Sequence, residues 1–211
     1  GGHGGAVTAL MASTDGKTIF SRGAEGALRA WDANTGKELR SIPEASGTSA
    51  VRFSPNGKLV AVGNNDGTLR LLDVADGKQL RLFKAHQGTI ANIAFSADGK
   101  QLATRGAYDG LLRIFDVEKG TELKQITCQE IKPGNGAVVI LRGNQTQSDG
   151  HPLAFSPDGK MIAAFIAPHQ IQAQGQQQMN PDANCLYLYD VDTGKEVRKI
   201  PMPAGITIQH L

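Results

Sequence analysis

The hydrophobic positions of this chain fall in short runs of β-branched and aliphatic residues, among them Val7-Thr8-Ala9-Leu10, Leu59-Val60-Ala61-Val62, Leu112-Arg113-Ile114-Phe115 and Leu186-Tyr187-Leu188-Tyr189. Polar segments bearing glycine separate them. Short apolar runs bounded by Gly, Asn and Asp read as β-strands, and no stretch carries the spacing of an amphipathic helix. The pattern predicts an all-β chain.

A tight-turn phrase of Asp or Asn, then Gly, then Lys returns four times, as Asp15-Gly16-Lys17, Asn56-Gly57-Lys58, Asp98-Gly99-Lys100 and Asp158-Gly159-Lys160. Each is followed by a second turn: Thr35-Gly36-Lys37-Glu38, Asp76-Gly77-Lys78-Gln79, Lys119-Gly120-Thr121-Glu122 and Thr193-Gly194-Lys195-Glu196. A short hairpin loop needs positive φ, which glycine supplies without steric cost and Asn or Asp tolerates, so each glycine is expected to join two antiparallel strands. First-turn glycines are separated by 41, 42 and 60 residues. The first two spacings match the roughly 40 to 45 residues of a four-stranded propeller blade.

The chain is therefore read as a β-propeller of four-stranded antiparallel blades. Four complete blades are placed at about 3–43, 44–84, 85–127 and 146–200, and the first strand of a fifth at 206–211. A propeller ring takes about 4 to 8 blades, which favours part of a larger ring over a minimal ring with an overhang. Unfinished ends of that kind expose sheet faces and strand edges, and self-association through them is expected.

Counting between glycines locates two insertions. Gly120 to Gly159 spans 39 residues where the equivalent stretches span 21 and 22, which places extra chain near 134–150. Gly159 to Gly194 spans 35 against 20, 20 and 21, and the excess is the glutamine-rich stretch near 168–181. In a meander of strands a, b, c and d, the b–c turns and the d-to-next-a connections lie at one end. The first insertion is a d-to-a connection and the second a b–c connection of the adjoining blade, so both are expected to rise from the same face. Asn144, Gln145, His151, His169, Gln172 and Gln174 are the candidate partner-contact residues. The six glutamines within Gln170 to Gln178 read equally well as a polar loop without a ligand.

The phrases Phe53-Ser54-Pro55-Asn56-Gly57-Lys58 and Phe155-Ser156-Pro157-Asp158-Gly159-Lys160, then Asp66-Gly67-Thr68-Leu69-Arg70, then Trp31-Asp32 with Thr35-Gly36-Lys37-Glu38, follow one another in a fixed order. With them the chain resembles WD-repeat β-propellers, in the style of bacterial repeats. The resemblance implies a rigid scaffold that binds other proteins, often on the face carrying the insertions. It also implies a buried set of His, Ser or Thr, Asp and Trp tying a blade together. The first unit offers His3, Ser21 and Trp31, with Glu25 where Asp is expected; the third offers His86, Thr104 and Asp109, with Phe115 in the Trp place. The second keeps only Asp66, with Glu44, Val62 and Leu72 at the other positions, and the fourth has Tyr189 in the Trp slot. These polar groups are expected to satisfy one another rather than to catalyse, and the blades to lean more on apolar packing.

Composition narrows the function. Lys and Arg number 22 against 20 Asp and Glu, a net charge of +2, and both signs are scattered. Arg29, Arg70 and Arg113 recur at one strand position, which reads as blade structure, and no nucleic-acid partner is expected. No apolar run approaches the roughly 20 residues of a membrane helix, so no membrane partner is expected either. Cys128 and Cys185 lack any Cys-x-x-Cys spacing and read as buried free thiols or as one disulfide.

No nucleophile elbow, phosphate loop, zinc-protease helix or haem-attachment motif occurs. Ser54 and Ser156 precede turn prolines and read as turn residues, and His151 with His169 lacks a third metal ligand. No catalytic residue, metal or cofactor is expected. The reading is a non-catalytic protein-protein interaction scaffold; the alternative is a sensing or substrate-recognition domain of a larger enzyme or electron-transfer protein.

Overall fold

A computed structural model describes residues 2–13, 15–43, 48–128, 138–140, 153–166, 170–173, 176–179 and 185–203. Among these there is no helix. Four sheets of four antiparallel strands follow one another along the chain. The first comprises β1 (Val7–Ala12), β2 (Thr18–Gly23), β3 (Ala27–Asp32) and β4 (Glu38–Pro43), and the second β5 (Thr48–Phe53), β6 (Leu59–Asn64), β7 (Thr68–Asp73) and β8 (Gln79–Lys84). The third comprises β9 (Ile90–Phe95), β10 (Gln101–Gly106), β11 (Leu111–Asp116) and β12 (Glu122–Thr127). In the fourth, β14 (Leu153–Phe155) and β15 (Met161–Ile166) pair in order with β18 (Cys185–Asp190) and β19 (Glu196–Pro201). These are WD-type propeller blades, and no strand pairing closes them into a ring among the described residues.

The turns form for the reason their glycines suggest. All eight hairpin glycines, from Gly16 to Gly194, hold φ between 68° and 72°. In each a–b turn a serine lies before the acid or amide: Ser96 Oγ donates to Asp98 at 2.6 Å and accepts from the Gln101 N–H at 2.9 Å, while the Lys100 N–H donates to Asp98 at 3.0 Å. Ser54 and Ser156 make the same bonds, so both are turn residues. The serine hydroxyl and the lysine N–H together hold the Asp15, Asp98 and Asp158 carboxyls below the usual aspartate range.

Alternation along the strands then builds the core. β3, β7 and β11 each send their second and fourth residues toward the following sheet: Leu28 and Ala30, Leu69 and Leu71, Leu112 and Ile114. Leu72, Phe115 and Tyr189, at the fifth position of β7, β11 and β18, turn back toward the preceding sheet. One apolar cluster fills each of the three junctions, each fully buried Leu or Ile contributing about 1.5–3 kcal/mol. Inner strands meet across two of these junctions, β5 on β9 and β9 on β14. Polar ties are added outside, where Arg81 donates to the Glu118 carbonyl at 2.9 Å and Lys124 to the Asp192 carbonyl at 2.6 Å. Cys128 and Cys185 are both buried in the third junction without a disulfide between them.

Two further stretches of strand belong to the insertions. β13 (Val138–Ile140) pairs with β16 (Gln170–Ala173), and β16 pairs with β17 (Gln176–Met179), in a separate three-stranded antiparallel sheet. The glutamine-rich stretch is thus a hairpin, not the loop that its composition suggests. The segment 206–211, read as the start of a further blade, lies outside the described residues.

Candidate functional site

The end of the array that carries the b–c turns and the d-to-a connections is built from segments far apart in sequence. β13 lies within the connection between β12 and β14, and the β16–β17 hairpin within the connection between β15 and β18. Both connections leave the sheets at the same end, and there the chain joins them with register Val138↔Gln172, Val139↔Ile171 and Ile140↔Gln170. Of the sequence-derived contact residues, Gln172 sits in β16, opposite Val138 on one side and Gln177 on the other. Asn144, Gln145, His151, His169 and Gln174 lie outside the described residues.

Tyr108 joins this end and is missed by reading motifs alone. It stands in the b–c turn of the third sheet, is 53% exposed, and lies beside Gly88 of the preceding d-to-a connection. Its signal in the sequence is the count of 21 between Gly99 and Gly120 where the first two units have 20, because this turn holds one extra residue. An exposed aromatic at such an end is the kind of side chain that protein interfaces enrich.

Next to Tyr108 begins the buried polar set of the third sheet. His86 Nδ1 lies 2.7 Å from Asp109 Oδ2, and Nε2 lies 2.9 Å from Thr104 Oγ1. An ionised carboxylate only accepts, so Nδ1 carries the proton, and in the neutral imidazole Nε2 then accepts the Thr104 hydroxyl. Burial raises the Asp109 pKa, but bonds from His86 and the Leu111 N–H outweigh it and hold the carboxyl below the usual aspartate range. In the first sheet His3 bridges Glu25 at 2.6 Å and Ser21 at 2.6 Å, and the Trp31 indole N–H donates to Ser21 Oγ at 2.7 Å. Glutamate therefore serves where aspartate was expected. Among the described residues the second sheet shows no such relay: Asp66 accepts from the Thr68 hydroxyl and N–H, Val62 and Leu72 are buried apolar groups, and Glu44 lies outside the described residues. In the fourth, Tyr189 donates to the Cys128 carbonyl at 3.4 Å, and burial raises its pKa well above the usual phenol range.

The hydroxyl–imidazole–carboxylate connectivity is that of a nucleophile relay, but the hydroxyls at its head are enclosed. Ser21 and Thr104 are buried, and Ser21 Oγ also accepts the Trp31 indole N–H. Both relays work as struts that tie a b–c turn to the strand beneath it. Two of the three recurring arginines are ion-paired, Arg29 with Glu38 and Arg113 with Glu122, each at 2.6 Å. No cluster of metal-binding side chains occurs among the described residues, and no described helix is long and apolar enough to cross a membrane.

Comparison with known proteins adds the family of these repeats. Residues 77–116 match the family described as WD domain, G-beta repeat, and residues 44–96 match the one described as Anaphase-promoting complex subunit 4 WD40 domain. Actin-interacting protein 1 of Caenorhabditis elegans is 49% identical over 47 residues, which is 22% of this chain and 8% of that protein. The likeness is thus to a repeat and not to a whole protein, and a nematode relative lends no support to a bacterial style. Together the two matches run from 44 to 116, across the second sheet and the first three strands of the third.

Proposed function

We propose that this chain is a non-catalytic scaffold that receives a protein partner on the end of the blades carrying the two insertions. The observation that carries the reading is the joint sheet of β13, β16 and β17. A structural repeat has no need of such an addition for its own packing, and long connections within compact repeats usually serve binding. Asn144, Gln145, His151, His169, Gln172 and Gln174 are the contact residues of this reading, with Tyr108 added as an aromatic anchor. WD40 repeats generally mediate protein-protein interaction, and a relative whose name records interaction with actin fits a partner-binding role. The enclosure of both His relays favours a role without catalysis.

Chemical cross-linking in lysate of cells that make the chain, read by mass spectrometry, tests it. Partner cross-links are expected on residues 138–151, 169–179 and 108. Replacing 170–179 by a Gly-Ser turn is expected to remove them while the four sheets melt as before. Cross-links confined to the outer strands, or unchanged by the replacement, would overturn the assignment of this end.

A further inference from the structure

The second and third sheets differ where their first two strands reach the end that carries the insertions. Register pairs Ala50 with Gly63 in the second sheet, and Asn92 with Arg105 at the same place in the third. Residues directly opposite in an antiparallel pair share one face of the sheet. In the second sheet that face is apolar and tightly covered: a Cβ on Gly63 would fall 2.9 Å from the Ile90 side chain, and Ala50 and Ile90 belong to one buried cluster. In the third it is polar, the Asn92 amide being 4% exposed beside half-buried Arg105. The sequence of the next unit changes in step. Ile90 stands five residues before Phe95, and five residues before Phe155 stands Gly150, which has no side chain to offer.

Arg105 brings to this place a charge whose bonding no group beside it completes. Its Nε is buried without a hydrogen-bond partner. Among the described residues it has no ion pair, whereas Arg29 and Arg113 have Glu38 and Glu122. Three groups near it can in principle carry negative charge: Cys128, Tyr189 and Asp109. Burial raises the pKa of the Cys128 thiol and of the Tyr189 phenol, so both stay protonated at neutral pH. The Asp109 carboxylate is already bonded to His86 and to the Leu111 N–H. A guanidinium does not escape burial by losing its proton, and one taken out of water with its donors unfilled is costly until an acceptor arrives.

We propose that Arg105, with Asn92 beside it, is a specificity site that receives one acidic side chain, an aspartate or glutamate, of the protein partner. The inference rests on the assignment of this end to the partner and names the chemistry of what is bound there. A planar carboxylate takes two parallel N–H bonds from a guanidinium. One cation with Asp109 close by matches a single negative charge, while a phosphate group, with nearly two, is left undercompensated.

Two measurements test it. In the first, the Nε–Hε signal of Arg105 is followed by NMR during titration with a capped pentapeptide of glycines bearing one central glutamate, and with its glutamine and phosphoserine counterparts. Arg105→Lys, which removes that N–H, assigns the signal. A saturable shift is expected with the glutamate peptide, at least about tenfold tighter than with either counterpart. No saturable shift, an equal response to the glutamine peptide or tighter binding of the phosphoserine peptide overturns the proposal. So does a shift of this signal in peptide-free Asp149→Asn, which would give the place to an acid of the chain itself. In the second, partner cross-linking is repeated with Arg105→Gln, which is expected to reduce the cross-links on residues 138–151, 169–179 and 108 by at least about tenfold while melting is unchanged. Should melting show that Arg105→Gln unfolds, competition on the unaltered chain takes its place, the glutamate peptide suppressing these cross-links and the glutamine peptide leaving them. Cross-links at this end that ignore Arg105→Gln or the glutamate peptide overturn this inference alone; cross-links confined to the outer strands overturn the assignment of the end, and this inference with it.

Discussion

Gly106 lies so close beneath Asp109 that a Cβ added there would fall on the carboxylate and within 2.7 Å of His86 Nδ1. The absence of a side chain at one residue thus lets the acid three positions later reach the histidine. In the first sheet Gly23 and Glu25 repeat the relationship, but there the clashing atoms are the end of a longer, flexible side chain.

Gly106→Ala is therefore expected to break the His86–Asp109 bond and destabilise the protein by about 1–3 kcal/mol, measured as a shift of the urea midpoint. Gly23→Ala is expected to cost less, because Glu25 can swing outward. Equal losses would show that the relay is not what these glycines serve.

Trp31→Phe removes the indole N–H that Ser21 accepts. Phe115 occupies the equivalent place in the third sheet, so the ring itself fits. The expected loss is about 1 kcal/mol by chemical denaturation, the worth of one hydrogen bond. A loss of several kcal/mol would point to packing instead.

Gln79 holds the place in the second sheet that Glu38 and Glu122, the partners of Arg29 and Arg113, hold in the first and third, as the pairs Leu72↔Gln79, Trp31↔Glu38 and Phe115↔Glu122 show, so Arg70 lacks the acid. Its Nε and Nη2 are buried without a hydrogen-bond partner. Gln79→Glu is expected to supply the missing ion pair and stabilise by about 0.5–1 kcal/mol. In a double-mutant cycle with Arg70→Gln the gain should vanish; a gain that persists would locate it elsewhere.

The turn aspartates set an acid dependence with a definite sign. The Ser96 hydroxyl and the Lys100 N–H hold the Asp98 carboxyl below its ordinary value of 3.8. Its contribution is present above the ordinary value and is lost as pH falls through the lower folded one. Asp98→Asn keeps the turn, as Asn56 does in the second sheet, but has no charge to lose. The difference in melting temperature between wild type and Asp98→Asn is expected to be widest above about pH 5 and to close at lower pH.

The parts legible in the sequence are those fixed locally. A glycine at positive φ, a serine two residues before an acid and a run of alternating aliphatics each declare themselves within a few residues, which is why the hairpins and sheets could be placed by counting. The relays were legible one step further, because His86, Thr104 and Asp109 hold fixed offsets within a unit. Arg70 shows a smaller gain, since its lack of an acid is visible as Gln79 once the register is known. The pairing of β13 with β16 was not legible: it joins chain segments outside the repeat, and glutamine composition argues for a loop. Tyr108 left only a single extra residue in a spacing.

The shared sheet of the insertions has a consequence for how such a chain can change over generations. Deleting β13 would strip β16 of a hydrogen-bonded neighbour, and deleting the β16–β17 hairpin would leave β13 as a lone strand with nothing to pair against. Neither length change is neutral by itself. The two insertions are bound to be gained, lost and varied together, so a relative that has shortened one connection should prove to have shortened the other.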